Sequence, residues 1–122
     1  MKCIYKNKHG NAGELIARNY LTGKNLKFIR NNYRFERTEV DLIFEDEANN
    51  TLIFIEVKTR RNTKFGFPEE SVTLNKQKNF RKTVMGFISE NPAYSSHDLR
   101  IDVISILLYE RNHEIRHIEN AF

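Results

Sequence analysis

Two apolar runs separated by a polar segment constrain this chain most, because each run admits charge near one end. The first run, residues 40–44, contains Asp41, and the second, residues 52–58, ends with Glu56 and Lys58. The polar segment between them is typical of a hairpin turn. Charged side chains are costly to bury unless they are paired or hold a metal. We therefore expect a β-hairpin with a functional site at one end.

The register of this hairpin decides which charged residues meet. A turn centred on residues 48 and 49 places Asp41 opposite Glu56, and a turn centred on residues 49 and 50 places it opposite Lys58. Side chains alternate along a strand, so Glu56 and Lys58 share a face. Either register brings Asp41 to that face, and only an odd loop without a compensating bulge would separate the three.

Two carboxylates and an amine suit metal-assisted hydrolysis of a phosphodiester. Mg²⁺ prefers oxygen ligands and keeps several waters, and it acidifies a bound water while polarising phosphoryl oxygens. Lys58 could orient the attacking water or neutralise charge on the phosphate, and the Val57 carbonyl could serve as a further ligand. The alternative is structural: Lys58 forms a salt bridge to Asp41 or Glu56, since ion-pair networks also produce such clusters.

Composition is consistent with a single soluble domain. A chain of 122 residues can bury one modest core, and a net charge of +4 permits nucleic-acid binding without requiring it. Cys3 is the only cysteine, which excludes an internal disulfide and favours a reducing compartment. The sequence shows neither the apolar core of a signal peptide nor a bilayer-spanning run, so we expect a cytoplasmic protein without a membrane partner.

Hydrophobic periodicity and turn residues predict a mixed sheet with helices packed against it. Asn11 is a candidate cap for the first helix, and Asn91-Pro92 ends the second. The predicted elements are helices over 11–22 and 75–90, strands over 26–35 and 99–109, and the two hairpin strands. The sequence leaves open whether residues 113–118 add a further strand that pairs with 99–109.

The motifs in this order resemble the YraN family. The similar segments are Glu39-Val40-Asp41-Leu42-Ile43, Phe54-Ile55-Glu56-Val57-Lys58-Thr59-Arg60 and Phe65-Gly66-Phe67-Pro68, followed by Val72-Thr73, Lys76, Arg100-Ile101-Asp102-Val103 and Asn120-Ala121-Phe122. An acid on the second strand and Glu-x-Lys on the third resemble the restriction-endonuclease-like (PD-(D/E)XK) nuclease fold. The resemblance implies an α/β protein with an αβββαβ core, a central mixed sheet flanked by helices, and a single nuclease-fold domain over residues 1–122.

The resemblance also suggests site residues. Asp41 and Glu56 would ligate Mg²⁺ or Mn²⁺ with Lys58 as the third catalytic residue, and Glu14 matches an acid that completes the metal site in related resolvase-type nucleases. The alternative for Glu14 is a capping box with Asn11. Asp102 matches a family aspartate, which we expect to pair with Arg100 or a neighbouring helix. Family members usually carry glycine where this chain has Thr38, which questions the geometry of that turn.

Basic residues concentrate at the expected site end of the sheet. The acidic turn at residues 45–47 lies at the opposite end, so this polarity would steer a phosphate backbone towards the carboxylates. Lys76 matches a family lysine and lies on the second helix among other cations, for which a solvated basic face is the alternative. The predicted nucleic-acid-binding residues are Arg34, Arg37, Arg60, Arg61, Lys64 and Lys76.

These expectations together describe a Mg²⁺- or Mn²⁺-dependent DNA endonuclease, a hydrolase acting on ester bonds. Resemblance to resolvases makes branched or junction DNA a candidate substrate. A non-catalytic nucleic-acid-binding module that retains the nuclease fold is the main alternative, and an adaptor whose charged cluster is an ion-pair network is another. The sequence leaves a homodimer open.

Overall fold

A computed structural model describes residues 2–61 and 73–122 of the chain, with side chains from Ala12 onward. These residues form a mixed α/β fold with a five-stranded sheet and two α-helices. A one-turn 3₁₀ helix, Pro92–Tyr94, precedes the fourth strand. The other elements are α1 (Lys2–Thr22), β1 (Lys27–Phe35), β2 (Thr38–Asp46), β3 (Thr51–Arg60), α2 (Leu74–Glu90), β4 (Asp98–Leu108) and β5 (His113–Ile118).

The sheet is mixed, as the sequence predicted. The strands follow chain order across the sheet, and β3 and β4 form its parallel pair while the other neighbours are antiparallel. A parallel pair needs a crossover connection, and α2 lies in that connection. In the β2–β3 hairpin Leu42 lies opposite Ile55, which centres the turn on residues 48 and 49 and is the first of the two predicted registers.

Each helix covers one face of the sheet. On the α1 face, Ala17 and Leu21 pack against a cluster that includes Leu42 and Ile55. On the α2 face, the buried side chains are Phe80, Val84 and Phe87 of α2 with Tyr33, Val40, Ile43, Leu52, Phe54 and Ile101 of the sheet. Helices on both faces explain why the hairpin strands carry continuous apolar runs instead of strict alternation.

The first helix begins at Lys2, not at residue 11. Asn11 therefore lies inside α1, and the interpretation of Asn11 and Glu14 as a capping box is wrong. Asparagine next to glycine at residues 10 and 11 resembles a helix start because both have low helix propensity. Propensity is a weak local preference, however, and it does not interrupt this helix. None of the helices in the described residues is long and apolar enough to cross a membrane.

The turn between β1 and β2 accommodates threonine at residue 38. Its hydroxyl donates to the Phe35 carbonyl at 2.8 Å and accepts a hydrogen bond from Thr83 of α2. The left-handed residue of the turn is Glu36, with a φ of 55°, and its carboxylate pairs with Lys82 of α2 at 2.5 Å. Thr38 thus closes the turn and ties it to α2.

Candidate functional site

Asp41 lies where the pairing of β2 with β3 stops. The last paired residues are Leu42 and Ile55, and beyond them the Val57 N–H donates to Oδ2 of Asp41 at 2.7 Å. Val40 packs on the α2 face and Leu42 on the α1 face, although they are two residues apart. Regular alternation is therefore interrupted at Asp41. Its carboxylate accepts from the β3 backbone and still lies close enough to Glu56 for the Glu56 charge to raise its pKa, although the regular alternation that we expected is interrupted.

Glu56 and Lys58 follow the buried part of β3 and point into a cleft on the α2 face. The Lys58 Nζ lies 3.4 Å from Oε1 of Glu56, and the two side chains are 11% and 24% exposed, respectively. The predicted salt bridge is thus present and joins Lys58 to Glu56. Because both groups reach the cleft, the pair is open to a ligand from solvent.

The carboxyl groups at this end of the sheet resist ionisation. Burial, followed by the nearby charge of Glu56, raises the pKa of Asp41 to about 8, while the Val57 N–H opposes the change. Burial also raises the pKa of Glu56, against the opposing influence of Lys58. Two half-buried carboxyls that repel each other are stabilised in their charged forms by a cation.

Glu14 reaches the edge of this group from α1. Burial raises its pKa, a hydrogen bond with Asn32 opposes that change, and the charges of Glu39 and Glu56 add to it. Helix α1 carries Glu14 there because it packs closely on β3: a Cβ built on Gly13 would overlap the hydroxyl of Thr59. Glu14 therefore belongs to the electrostatic surroundings of Asp41 and Glu56.

Within the described part of the chain, no three His, Cys, Asp or Glu side chains form a compact set that could hold a metal ion. Asp41 and Glu56 consequently provide two carboxylates for a metal ion, and no third acidic side chain of the described residues completes the set. Mg²⁺ and Mn²⁺ suit such an incomplete protein site, because Mg²⁺ commonly binds through one or two carboxylates and fills its other positions with water and substrate oxygens.

A cleft of about 230 Å³ opens beside Glu56 and Lys58. A water molecule occupies roughly 30 Å³ in the liquid, so the cleft has room for a phosphate group and several waters. Its walls come from the start of β2, the end of β3, the first turns of α2 and the last residue of the chain. The lining residues are Arg37, Thr38, Glu39, Glu56, Lys58, Lys76, Asn79, Phe80 and Phe122.

Lys76 brings a second amine into this cleft. It belongs to the first turn of α2, where the Thr73 side chain caps the helix by accepting from the Lys76 N–H at 3.2 Å. A hydrogen bond with Lys58 and the charge of Lys58 lower the pKa of Lys76, and Glu56 opposes this. Two amines so close together, one of them in the first turn of a helix, favour an anion between them.

Comparison with known proteins adds a family. A sequence model described as "Uncharacterised protein family UPF0102" matches residues 13–106, which is more than half of the chain. This chain belongs to the UPF0102 family. It is 42% identical over 115 residues to a UPF0102 protein of Clostridioides difficile (strain 630), a match that covers 93% of this chain and 95% of the relative.

Other UPF0102 proteins are similar over comparable lengths. A relative from Syntrophomonas wolfei is 39% identical over 110 residues, covering 90% of this chain and 93% of its own length. One from Chloroherpeton thalassium is 40% identical over 121 residues, covering 93% and 92%. The family match at residues 13–106 contains the carboxylates, Lys58 and Lys76.

The remaining predicted basic residues of this UPF0102 protein lie at different distances from the cleft. Arg37 lines it, whereas Arg34 is exposed on β1 in register with Glu39. Arg60 and Arg61 line a separate shallow depression with Thr59 and Leu108 at the end of β3. The prediction for Lys64 lies outside the described residues.

Two cleft residues received no role from the sequence. Glu39 is exposed, lines the cleft, and raises the pKa of both Asp41 and Glu56. Asn79 enters the cleft three residues after Lys76. Asn79 was accessible from spacing, because residues three apart on a helix lie near each other. Glu39 was not, because the interruption at Asp41 breaks the alternation that relates residues two apart on a strand.

Asp102 is structural, as expected. It is fully buried, accepts two hydrogen bonds of 3.0 Å from Arg100, and bonds to His117 Nε2 at 2.7 Å and the Asn120 N–H at 2.9 Å. Burial would raise the pKa of Asp102, but these hydrogen bonds outweigh burial and lower it. Its lone pairs serve contacts that hold β4 to β5 and the chain beyond it.

Proposed function

We propose that this UPF0102 protein is a metal-dependent DNA endonuclease with a restriction-endonuclease-like core. The observation that carries the proposal is a cleft at which the Glu56 carboxyl meets the Lys58 and Lys76 amines, with the Asp41 carboxyl close enough to Glu56 for the Glu56 charge to raise its pKa. The order α1, β1, β2, β3, α2, β4, with the acid on the second strand and Glu-x-Lys on the third, supports the fold assignment. In this proposal the protein acts in the cytoplasm.

Asp41 and Glu56 would hold Mg²⁺ or Mn²⁺, with Glu14 assisting through water. The donor set fits, because hard cations prefer carboxylate oxygens and burial disfavours the charged forms of both acids. When bound, the ion supplies Lewis acidity to the phosphoryl oxygens and a more acidic water. The hydrogen bond from Val57 to Asp41 fixes one carboxylate in place before any ligand arrives.

The amines would act on the phosphate and on the attacking water. Lys58 lies beside Glu56 with its ammonium directed to the cleft, so it can orient water or neutralise charge that develops on the phosphate. Lys76 approaches from α2 and contacts a phosphate oxygen. Arg37 extends the basic rim, and Arg34, Arg60 and Arg61 continue it along the strand ends. Lys64 stays in the predicted binding set.

A non-catalytic nucleic-acid-binding module is the second candidate. Two observations favour it: Lys58 is paired with Glu56, and the described residues contain no compact set of three acidic or histidine ligands. In such a module the same amines would bind phosphate without turnover. Its DNA affinity would fall with salt and persist in a chelator.

Cleavage of defined DNA distinguishes the two candidates. Duplex, single-stranded, flapped and four-way DNA are incubated with Mn²⁺ and the wild-type protein, Asp41→Asn or Asp98→Asn. Asp98 is an exposed acid at the start of β4 and serves as the matched control. The proposal requires cleavage by wild type and Asp98→Asn and its loss in Asp41→Asn. Binding without cleavage by wild type would establish the module, and equal cleavage by all three proteins would remove Asp41 from the mechanism.

A further inference from the structure

Ser105 on β4 carries a buried hydroxyl for which the described residues offer no hydrogen-bond partner. The residue is 1% exposed, and its Oγ has no hydrogen bond within the described residues. The other polar side chains buried to this degree in the described chain are Thr83 and Asp102, and both are bonded. An unsatisfied buried hydroxyl is less favourable than a methyl group of the same shape. Its presence therefore calls for a functional explanation.

The strand register places Ser105 beside Lys58. In the parallel β3–β4 pair Lys58 lies opposite Ser105, four residues beyond the pair formed by Phe54 and Ile101. Phe54 and Ile101 belong to the core of the α2 face, and alternation brings Lys58 and Ser105 to that same face. Ser105 is thus the strand neighbour of Lys58, the residue that carries the amine of the proposed catalytic site.

The contact that holds the Lys58 ammonium in its present position is weak. Its ammonium is 3.4 Å from Glu56, a long contact for a charge-assisted hydrogen bond, and Lys76 approaches from the other side of the cleft. In the proposed reaction the Glu56 carboxylate serves a divalent cation. Lys58 then needs another acceptor, because the positive charges around it would otherwise push it out of the cleft.

We propose that Ser105 is a positioning residue whose hydroxyl accepts a hydrogen bond from the Lys58 ammonium when Glu56 no longer does. The catalytic importance of this exchange rests on the proposed function. The change of hydrogen-bond partner involves only Lys58, Glu56 and Ser105. It can therefore be produced without a metal, by removing the Glu56 carboxylate. Ser105 touches neither substrate nor metal in this arrangement; it keeps Lys58 beside the cleft.

The exchange is tested by a double-mutant cycle without metal or DNA. Proton exchange of the Lys58 ammonium with water is measured by NMR on ¹⁵N-lysine protein for wild type, Glu56→Ala, Ser105→Ala and the double variant. We expect Ser105→Ala to change the exchange rate less than about twofold in wild type and to accelerate it at least about fivefold in Glu56→Ala. Equal effects in both backgrounds, or none in either, would overturn the proposal.

Thermal unfolding separates positioning from a structural role. Thr83 is the matched control, since its buried hydroxyl bonds to the Asn79 carbonyl at 3.1 Å and to Thr38. We expect Ser105→Ala to unfold at the same or a higher temperature than wild type and Thr83→Ala at a lower one. An equal loss of stability in both variants would mean that the Ser105 hydroxyl is structural and would overturn the proposal.

Single-turnover cleavage with Mn²⁺ then tests the catalytic consequence. We expect Ser105→Ala to lower the cleavage rate about tenfold while metal affinity stays within about twofold of wild type. An unchanged rate would overturn the positioning role. If wild type does not cleave, the proposed function fails. The NMR cycle still decides whether the Ser105 hydroxyl accepts a hydrogen bond from Lys58 when Glu56 does not.

Discussion

Single residues at the cleft and beside it stand in unfavourable electrostatic surroundings. Asp41 and Glu56 are acids held where ionisation is costly, and Lys76 is an amine held against the Lys58 amine. A protein selected for stability alone has no need of these juxtapositions, which are common where a ligand supplies the missing charge. This conflict has a measurable consequence for stability.

Asp41→Asn should stabilise the metal-free protein at neutral pH. The pKa of Asp41 is about 8 in the folded state, above its usual 3.8, so the folded state prefers the protonated acid. The contribution of Asp41 to the free energy of unfolding is therefore fully present below about pH 4 and is lost as the pH rises towards 8. Asparagine resembles the protonated acid and can still accept from the Val57 N–H. We expect a gain of about 1–3 kcal/mol at pH 7 and little difference at pH 4.

Thermal unfolding in chelator across this pH range measures the effect. Asp98→Asn is again the control, and its unfolding profile should follow that of wild type. A variant at residue 41 that is less stable than wild type at pH 7 would show that the charged carboxylate is already compensated within the protein.

At the scale of elements, α1 brings Glu14 to the site through one close contact. A Cβ at Gly13 would overlap the Thr59 hydroxyl, so Gly13→Ala should push α1 away from β3. Gly23 is the matched control, because a Cβ there meets backbone atoms no closer than 3.4 Å. We expect Gly13→Ala to lose about 1–3 kcal/mol of unfolding free energy despite the better helix propensity of alanine. Gly23→Ala should be close to neutral.

Chemical denaturation of both glycine variants checks this prediction, and Mn²⁺ titration follows the site. Weaker Mn²⁺ binding by Gly13→Ala alone would connect the α1–β3 contact to the position of Glu14. Equal stability of the two variants would mean that the Thr59 side chain moves aside at little cost.

The β1–β2 turn is the second such element, and Thr38 connects it to α2. Thr38→Val removes a donor to the Phe35 carbonyl and an acceptor for the Thr83 hydroxyl, so we expect a loss of about 1–2 kcal/mol. Thr51→Val is the control, since Thr51 bonds to the Asn49 carbonyl at an exposed site. It should cost less than about 0.5 kcal/mol in urea unfolding. Similar losses of stability for both variants would mean that the hydrogen bonds of Thr38 contribute no more than that of an exposed threonine.

At the scale of the whole molecule, charge is separated along the sheet. The exposed Glu47 lies in the turn at one end of the β2–β3 hairpin, and Arg37, Lys58 and Lys76 lie around the cleft at the other. Phosphate contacts made by lysine and arginine release counterions, so binding to such a surface depends on salt. The position of each lysine relative to the cleft should then decide its contribution.

Lys76→Ala should weaken DNA binding more than Lys78→Ala does. Both residues are exposed on the first turns of α2, but Lys76 lines the cleft. We expect a loss of affinity of about tenfold for Lys76→Ala and less than about twofold for Lys78→Ala, with a shallower salt dependence for the former. Fluorescence anisotropy in chelator at several salt concentrations measures both. Equal losses would indicate a diffuse basic face instead of a phosphate site.

Much of this architecture was accessible from local patterns. Apolar runs, turn residues and helical spacing predicted α2, the first four strands and the mixed sheet, and the fifth strand, which the sequence left open over 113–118, is present at His113–Ile118. The observed hairpin register is one of the two that the sequence predicted. These features depend on periodicity and chain reversal, which neighbouring residues determine. The start of α1 was missed because a weak propensity signal at residues 10 and 11 was outweighed by the rest of the helix.

The sequence by itself therefore determined which elements form, their order, and that Asp41, Glu56 and Lys58 lie near one another at a hairpin end. Only the tertiary structure decided how these groups face each other. The interruption of alternation at Asp41, the approach of Lys76 and Glu14 from separate helices, and the burial of the Ser105 hydroxyl all depend on contacts between distant segments. Such contacts are set by the packing of helices on a twisted sheet, and spacing along the chain carries no information about the distances they create.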